Sequence, residues 1–351
     1  MPAFRPIHAY SDRDAGRDAT ASSLGVASGP VRRGTTPGPA QDLPIGGQAV
    51  LEGVMMRGTK HWAVAVRLPD THPTNPGGIA VTDEPFTSVL TRHRILRLPL
   101  VRGAVALVES MGVGVRALGM SANAQAAEGE QEPLTGLKWA LTIVAGLSLA
   151  VGLFFLLPAT LVKVIGGSEV DNGLTFVVIE KVVRLSIFIA YLWAVSRMAH
   201  LQRVFQYHGA EHQSIACLEA GQPLLPENAA RFSRLHPRCG TSFMLIVMIV
   251  SVVVFAPLGS LPLGWLLLSR VLGIPLVAGL AFEAIKWMGR NRELRVARVL
   301  MWPGMQLQRM TTREPTADQL AVAIAALEKV LEHEDPASAS PAQRAGTDVA
   351  A

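Results

Sequence analysis

The sequence predicts an α+β integral membrane protein: a small amino-terminal β meander with an amphipathic helix, four transmembrane helices and a cytosolic carboxy-terminal helix. Three observations carry this. The 351 residues are 50% hydrophobic and only 17% charged, with a mean hydropathy of +0.32, too apolar for an ordinary soluble chain. Two windows, the 24 residues from Trp139 to Val162 and the 31 from Cys239 to Ser269, carry no charge, whereas about 20 apolar residues already span the hydrocarbon. Before them, short β-branched runs alternate with Arg-Gly and Pro-Gly-Gly punctuation.

Residues 1–40 are rich in Pro, Gly, Ser, Thr, Arg and Asp without an apolar run, which predicts a disordered tail. Residues 41–90 form the β unit, with strands expected over Ala49–Met56, Trp62–Arg67 and Ile79–Asp83. In the segment 91–138, Leu100, Ala104, Leu107, Val108, Met111, Val115 and Leu118 recur at helical spacing among Arg97, Arg102, Glu109 and Arg116, the pattern of an amphipathic helix packed on the β unit or lying on the membrane. Residues 139–288 hold the four spans: 139–162, 174–199, 242–258 and 264–288. Glu180 and Arg184, four apart in the second, are placed to form an ion pair. Pro257 and Pro262 bracket an outer turn, and Arg270 is expected to snorkel outwards. A cytosolic segment 289–334 follows, in which Thr316 and Gln319 make a capping box for a helix lined by Leu320, Ile324, Leu327 and Leu331. Residues 335–351 are read as a second disordered tail.

Charge sets the orientation. Lys286 to Arg313 holds seven basic residues against Glu293 alone, whereas the loop Lys163 to Gly173 carries Lys163 against Glu169 and Asp171. That is the positive-inside asymmetry, which puts both termini and the 200–240 loop in the cytosol of a bacterial inner membrane, with lipid as a partner. The net charge of +5 is thereby accounted for, and with only 6% aromatic residues no nucleic-acid platform is expected. Cys217 and Cys239 fall on the reducing side, so no disulfide is expected.

Chemistry concentrates in His208-Gly209-Ala210-Glu211-His212, an H-x-x-E-H spacing. On a helix this sets two imidazoles one turn apart, able to take two corners of a Zn2+ site, with Glu211 beside them as general base. His236 and Cys239 return in the loop before the third span, and Glu283 closes the fourth. Each is a candidate third ligand, Glu283 being preferred because it comes from a separate element. Glu219 lies about 10 Å along the helix from His212 and is assigned beside the ligands or at the substrate, as are Gln48, Glu52 and Arg57 of the Gly46–Gly58 stretch, whose glycines suit tight strand entry and close backbone approach, with Glu52 and Arg57 exposed on the surface of the β unit. Two functions compete: a zinc-dependent hydrolase, peptidase-like, at the cytosolic membrane face, or a non-catalytic membrane scaffold or sensor whose structural metal site recruits a cytosolic protein partner.

Gly46–Gly58, Arg97–Asn123, Phe205–Cys217, His236–Phe243 and Pro303-Gly304 with Thr311-Thr312-Arg313-Glu314-Pro315 together resemble the YqhQ-like family of bacterial membrane proteins over about residues 44–330. The resemblance implies an integral membrane protein with a metal-dependent site and no settled reaction. Gln213 stands where the family pattern has a lysine, and Leu218 where it has a tyrosine; neither change touches the proposed ligands.

Overall fold

The computed structural model describes residues 43–72, 75–125, 136–166, 173–255, 263–291 and 293–335. The two expected terminal tails, the acids Glu169 and Asp171, the outer turn between Pro257 and Pro262 and the Arg270 side chain lie outside them. In chain order come strands β1 (Gly46–Val50), β2 (Gly53–Arg57), β3 (His61–Arg67) and β4 (Ile79–Pro85), then α1 (Val89–Arg92), α2 (Val101–Gln125) and α3 (Gly136–Val151). A π-helical segment, Gly152–Leu156, leads into α4 (Leu157–Gly166). Then follow α5 (Gly173–Val195), α6 (Ala199–Glu219), α7 (Pro226–Ala229), α8 (Gly240–Phe255), α9 (Leu263–Arg290), α10 (Arg295–Thr311) and α11 (Ala317–Leu331).

The meander has four antiparallel strands in sequential order rather than three. The run read as one strand over Ala49–Met56 is a hairpin, with Val50 paired to Gly53 across Leu51–Glu52. Glu52 takes a left-handed φ of 50° there, a conformation that composition alone does not announce. At the other turn Pro76-Gly77 behaves as its sequence dictates: Gly77 adopts φ +66° and the Gly78 N–H donates to the Asn75 carbonyl at 3.2 Å.

The two-residue period of the strands sends side chains to both faces, and both are covered. Val54, Met56, Ala63 and Ala65 pack with Tyr207, Ala210 and Ile215 of α6 and Leu320, Ala323 and Leu327 of α11. Val50, Met55, Trp62, Val64 and Val66 pack with Val113 and Ala117 of α2. Burial on two sides explains why β2 is buried at every position. The capping box of α11 is present, Thr316 accepting from the Gln319 N–H and Gln319 from the Thr316 N–H. Past the helix end, the Glu334 carboxylate accepts from the backbone N–H groups of Thr59, Lys60 and His61, fastening α11 to the β2–β3 turn.

Pro99, which disfavours helix in the residue before it, delays α2 to Val101. Its charges find partners on other elements: Arg102 with Glu283 and Glu109 with Ser88 at 2.8 Å, both partly buried, and Arg116 with Glu84 at 3.2 Å on the surface. Its amino-terminal half packs through Ala106 on Phe282 and Ile285 of α9, so α2 joins the sheet to the apolar helices. Helices stand at all four positions read as spans. Among the described residues, two are long and apolar enough to cross a membrane: α2 itself, read as amphipathic, and α9 over Leu272–Arg290. The apolar stretches Val144–Phe154 and Gly240–Phe255 are shorter. In α5 the Glu180–Arg184 pair forms as the spacing requires, and Lys181 joins it at 2.8 Å from Glu180. The basic segment after α9, left without structure by the sequence reading, is the helix α10.

Candidate metal centre

The centre is assembled from α6, the loop entering α8, the end of α10 and the backbone of β1. α6 is held to its neighbours by small residues. A Cβ on Gly209 would stand 2.1 Å from the Arg313 carbonyl, so only glycine lets the segment after α10 lie against α6 beside His208. The rings of His208 and His212 are 4.4 Å apart between centroids.

Each imidazole is oriented through Nδ1. His208 Nδ1 lies 2.8 Å from the Thr311 carbonyl and His212 Nδ1 2.6 Å from the Arg234 carbonyl. A carbonyl only accepts, so both Nδ1 atoms carry hydrogen, and in the neutral form of each ring Nε2 keeps the lone pair. Those lone pairs meet a sulfur: His208 Nε2 is 3.2 Å from Cys239 Sγ, and the ligating atoms of His208, His212 and Cys239 all lie within 4.8 Å of one another. Tetrahedral zinc, with bonds of about 2.0–2.3 Å, needs ligand atoms roughly 3.3–3.8 Å apart, so small side-chain shifts close the triad. His212 Nε2 is buried without a hydrogen bond of normal geometry, an electron pair awaiting an acceptor. Burial holds the His212 imidazole below its usual pKa and therefore neutral, the form that ligates. Burial alone would raise the Cys239 thiol, but His212 and the hydroxyl and N–H of Thr241 outweigh it and hold the pKa below the ordinary value. Cys239 immediately precedes α8, where Thr241 donates to sulfur as it would to a capping oxygen.

Glu211 is 1% exposed, and among the described residues its Oε1 has no hydrogen-bond partner. Burial, with a smaller push from Cys239, raises its pKa to about 8 against the opposing influence of His208 and the Gly47 N–H. Gly47 approaches closely because it lacks a side chain: a Cβ there would fall 2.8 Å from Glu211 Cγ. This gives the Gly-Gly pair of β1 a specific role that the sequence reading had left general.

The other candidates separate. Glu283 is corrected: it is not with the histidines but engaged by Arg102 through two hydrogen bonds of 2.6 and 2.5 Å, because α9 packs on α2. Cys239 is the residue that the structure brings beside the two imidazoles. His236 stands in the next shell, its ring centroid 5.6 Å from that of His212 and its Nε2 3.5 Å from Glu219 Oε2. Its backbone is clamped by Gln308, which accepts from the His236 N–H and donates to the His236 carbonyl, each at 2.8 Å. Glu219 also pairs with Arg238, whose Nη1 donates to the Leu43 carbonyl at 2.7 Å, so Glu219 positions the loop that carries Cys239. Gln48 and Arg57, one strand step out of phase with Gly47 and Met56, face α2 instead of the centre. Gln48 Oε1 fills the space left by Gly114. Arg57, expected on the surface, is 1% exposed, stacks 4.2 Å over Phe86, bonds Ser110 at 2.7 Å and is lowered to a pKa of about 10 by burial. Glu52 is half-buried at the hairpin tip, paired with Arg203 and reached by the Tyr207 hydroxyl at 3.3 Å. The carbonyls of Thr311 and Arg234 and the clamp of Gln308 escaped the sequence reading, since a backbone acceptor has no residue signature. Cys217 and Cys239 are both free and buried.

The model of a family described as "Protein of unknown function (DUF1385)" matches residues 98–333. The "Uncharacterized protein YqhQ" of Bacillus subtilis (strain 168) is 32% identical over 298 residues, covering 82% of this chain and 92% of the Bacillus protein. No solved structure matches the chain.

Proposed function

The chain belongs to the DUF1385 family, a family of unknown function, and we propose that it is a membrane-embedded zinc-dependent hydrolase whose centre lies at the cytosolic membrane face. One observation carries the reading: two Nδ1–H imidazoles and a low-pKa cysteine converge within 4.8 Å beside a buried carboxyl oxygen without a partner. Three protein ligands, two nitrogens and a sulfur, suit Zn2+ with a fourth position left for water, the arrangement of catalytic rather than structural zinc. When bound, the ion would lower the pKa of that water and polarise the scissile bond. Glu211 then receives the proton at its uncommitted Oε1, while Gly47 holds the carboxylate in place through its N–H.

The membrane half of the reading places four spans at α3–α4, α5, α8 and α9. It is supported by apolar side chains left bare along them: Leu149 is 70% exposed, Val164 75%, Val253 71% and Leu272 67%. A soluble monomer rarely leaves so much apolar surface in water. With the arginine asymmetry, both termini and α6 are cytosolic.

Metal analysis of the purified full chain tests the centre. The expected content is about one zinc per chain, lost in His208→Ala and Cys239→Ser and kept in Glu211→Gln. Membranes carrying the wild type, but not Glu211→Gln, should cleave at least one member of a panel of peptide, ester and phosphoester substrates. Equal behaviour of the two would remove the hydrolase reading and leave a metal site alone. Single cysteines near Gly167 and Pro226 should be labelled from opposite sides of intact cells; labelling from one side would refute the topology.

A further inference from the structure

Beside the centre lies a groove of about 650 Å3 whose walls carry Arg197, Arg203, Arg234, Arg309 and Arg313 against a single carboxylate, Glu314. It runs between the end of α5, the start of α6 and the end of α10. Two of the five guanidiniums have acidic partners: Arg203 pairs with Glu52, and Arg234 with Glu314 at 3.1 Å. Among the described residues the other three pair with no carboxylate. Arg197 lies 4.9 Å over the Trp193 ring. Arg309 is exposed on α10. Arg313 donates from Nη2 to the Ser196 carbonyl at 2.9 Å, while its buried Nε has no acceptor among the described residues.

Gathering like charges in one groove is unfavourable unless an anion joins them. Here the geometry is also fixed in advance. The Arg313 backbone is held by its N–H to the Phe205 carbonyl at 2.8 Å and by the close approach at Gly209, so its guanidinium is aimed by α6. A planar guanidinium offers paired N–H groups that match two oxygens of a phosphate, and several together select a phosphate over a lone carboxylate. We propose that this groove binds the phosphate of an anionic ligand and, on the hydrolase reading above, recognises the substrate of the zinc centre.

The two sites share their walls. Arg234 lines the groove with its side chain and accepts the His212 Nδ1–H with its carbonyl; Thr312 lines the groove next to Thr311, whose carbonyl accepts from His208. A phosphate seated on Arg309 and Arg313 therefore sits against the segments that orient both imidazoles. Two sources offer that phosphate. A lipid headgroup is favoured by the rim, where Trp193, 54% exposed at the end of apolar α5, is the residue type found at membrane interfaces. A soluble phosphate ester has the same recognition chemistry.

The test uses the full chain in neutral detergent and calorimetric titration with short-chain phosphatidylglycerol, phosphatidylcholine of the same chain length, and glycerol phosphate. Phosphatidylglycerol should bind at least about tenfold more tightly than phosphatidylcholine, and Arg309→Gln with Arg313→Gln should erase at least about that factor, the effect of a lost charge-assisted hydrogen bond, while zinc content stays at the wild-type level. The exposed Arg309→Glu variant should weaken anion binding by itself, which covers a double variant that fails to fold. Glycerol phosphate binding as tightly as the lipid supports the groove and assigns a soluble ester; much weaker binding assigns the lipid. No anion preference in the wild type, or an undiminished one in the arginine variants, overturns the proposal. His208→Ala, lacking zinc, should keep the anion preference, so failure of the metal reading and failure of the groove give different results.

Discussion

Glu211 and Glu283 were both candidates for the centre, and the structure treats them in opposite ways. Glu211 sits within α6 under β1, fully enclosed, opposed by burial and by Cys239, with one oxygen uncommitted. Glu283 sits on α9, its side chain 25% exposed, with both oxygens taken by one guanidinium. A carboxylate whose lone pairs are satisfied by an arginine fixes two helices to each other. One kept from water without a full set of donors retains its basicity for chemistry. The difference lies in the partners that the fold brings, and spacing along the chain does not contain it.

The sharpest way to break this contrast is at the third ligand. Cys239→Ser should lower zinc affinity by more than the roughly tenfold to hundredfold typical of an outer-shell loss, and Glu283→Gln should leave it unchanged, both read by competition with a chromogenic chelator. A collapse of affinity in Glu283→Gln would return that residue to the metal. A smaller effect is expected on stability. Glu283→Gln or Arg102→Gln should cost about 2 kcal/mol, the scale of hydrogen bonds between charged groups, because either change removes the charged link between α2 and α9; denaturant unfolding in detergent measures it. Indifference would mean that the pair contributes nothing net, as exposed pairs often do.

Local signals were legible in the sequence wherever one element sufficed. The H-x-x-E-H spacing set two imidazoles on one face, Thr316 and Gln319 announced the cap of α11, and Glu180 met Arg184 one turn on. What could not be read involves two elements at once. Which third candidate joins the imidazoles depends on whether α9 or the loop before α8 packs beside α6, and Arg102, whose long-range partner no local pattern names, decides against Glu283. The hairpin at Leu51–Glu52 was hidden because an apolar run reads as one strand until a left-handed residue breaks it. Arg57 looked like a surface charge because nothing local reveals that α2 covers that face of the sheet. The four-span reading rested on uncharged length, and α2 is long and apolar enough to cross a membrane because its three charges lie seven residues apart in a run of apolar and small residues.

A third effect, spread over several pH units, bears on Glu211 alone and sharpens the contrast without any metal. Its pKa in the folded chain is about 8, against an ordinary 4.5. A carboxyl whose folded pKa is raised binds its proton more tightly in the native state than when unfolded. Its contribution to stability is therefore fully present below about pH 4.5 and is lost as pH rises towards about 8. One such group sets a slope of at most about 1.4 kcal/mol per pH unit. Chelator-treated wild type should accordingly lose stability across that window relative to Glu211→Gln, which has no proton to release. Added zinc should flatten the difference, since a neighbouring cation favours the carboxylate. Parallel pH profiles for the two metal-free proteins would mean that Glu211 is already ionised in the fold and paired like Glu283, and its assignment as the base of the centre would fall with the contrast.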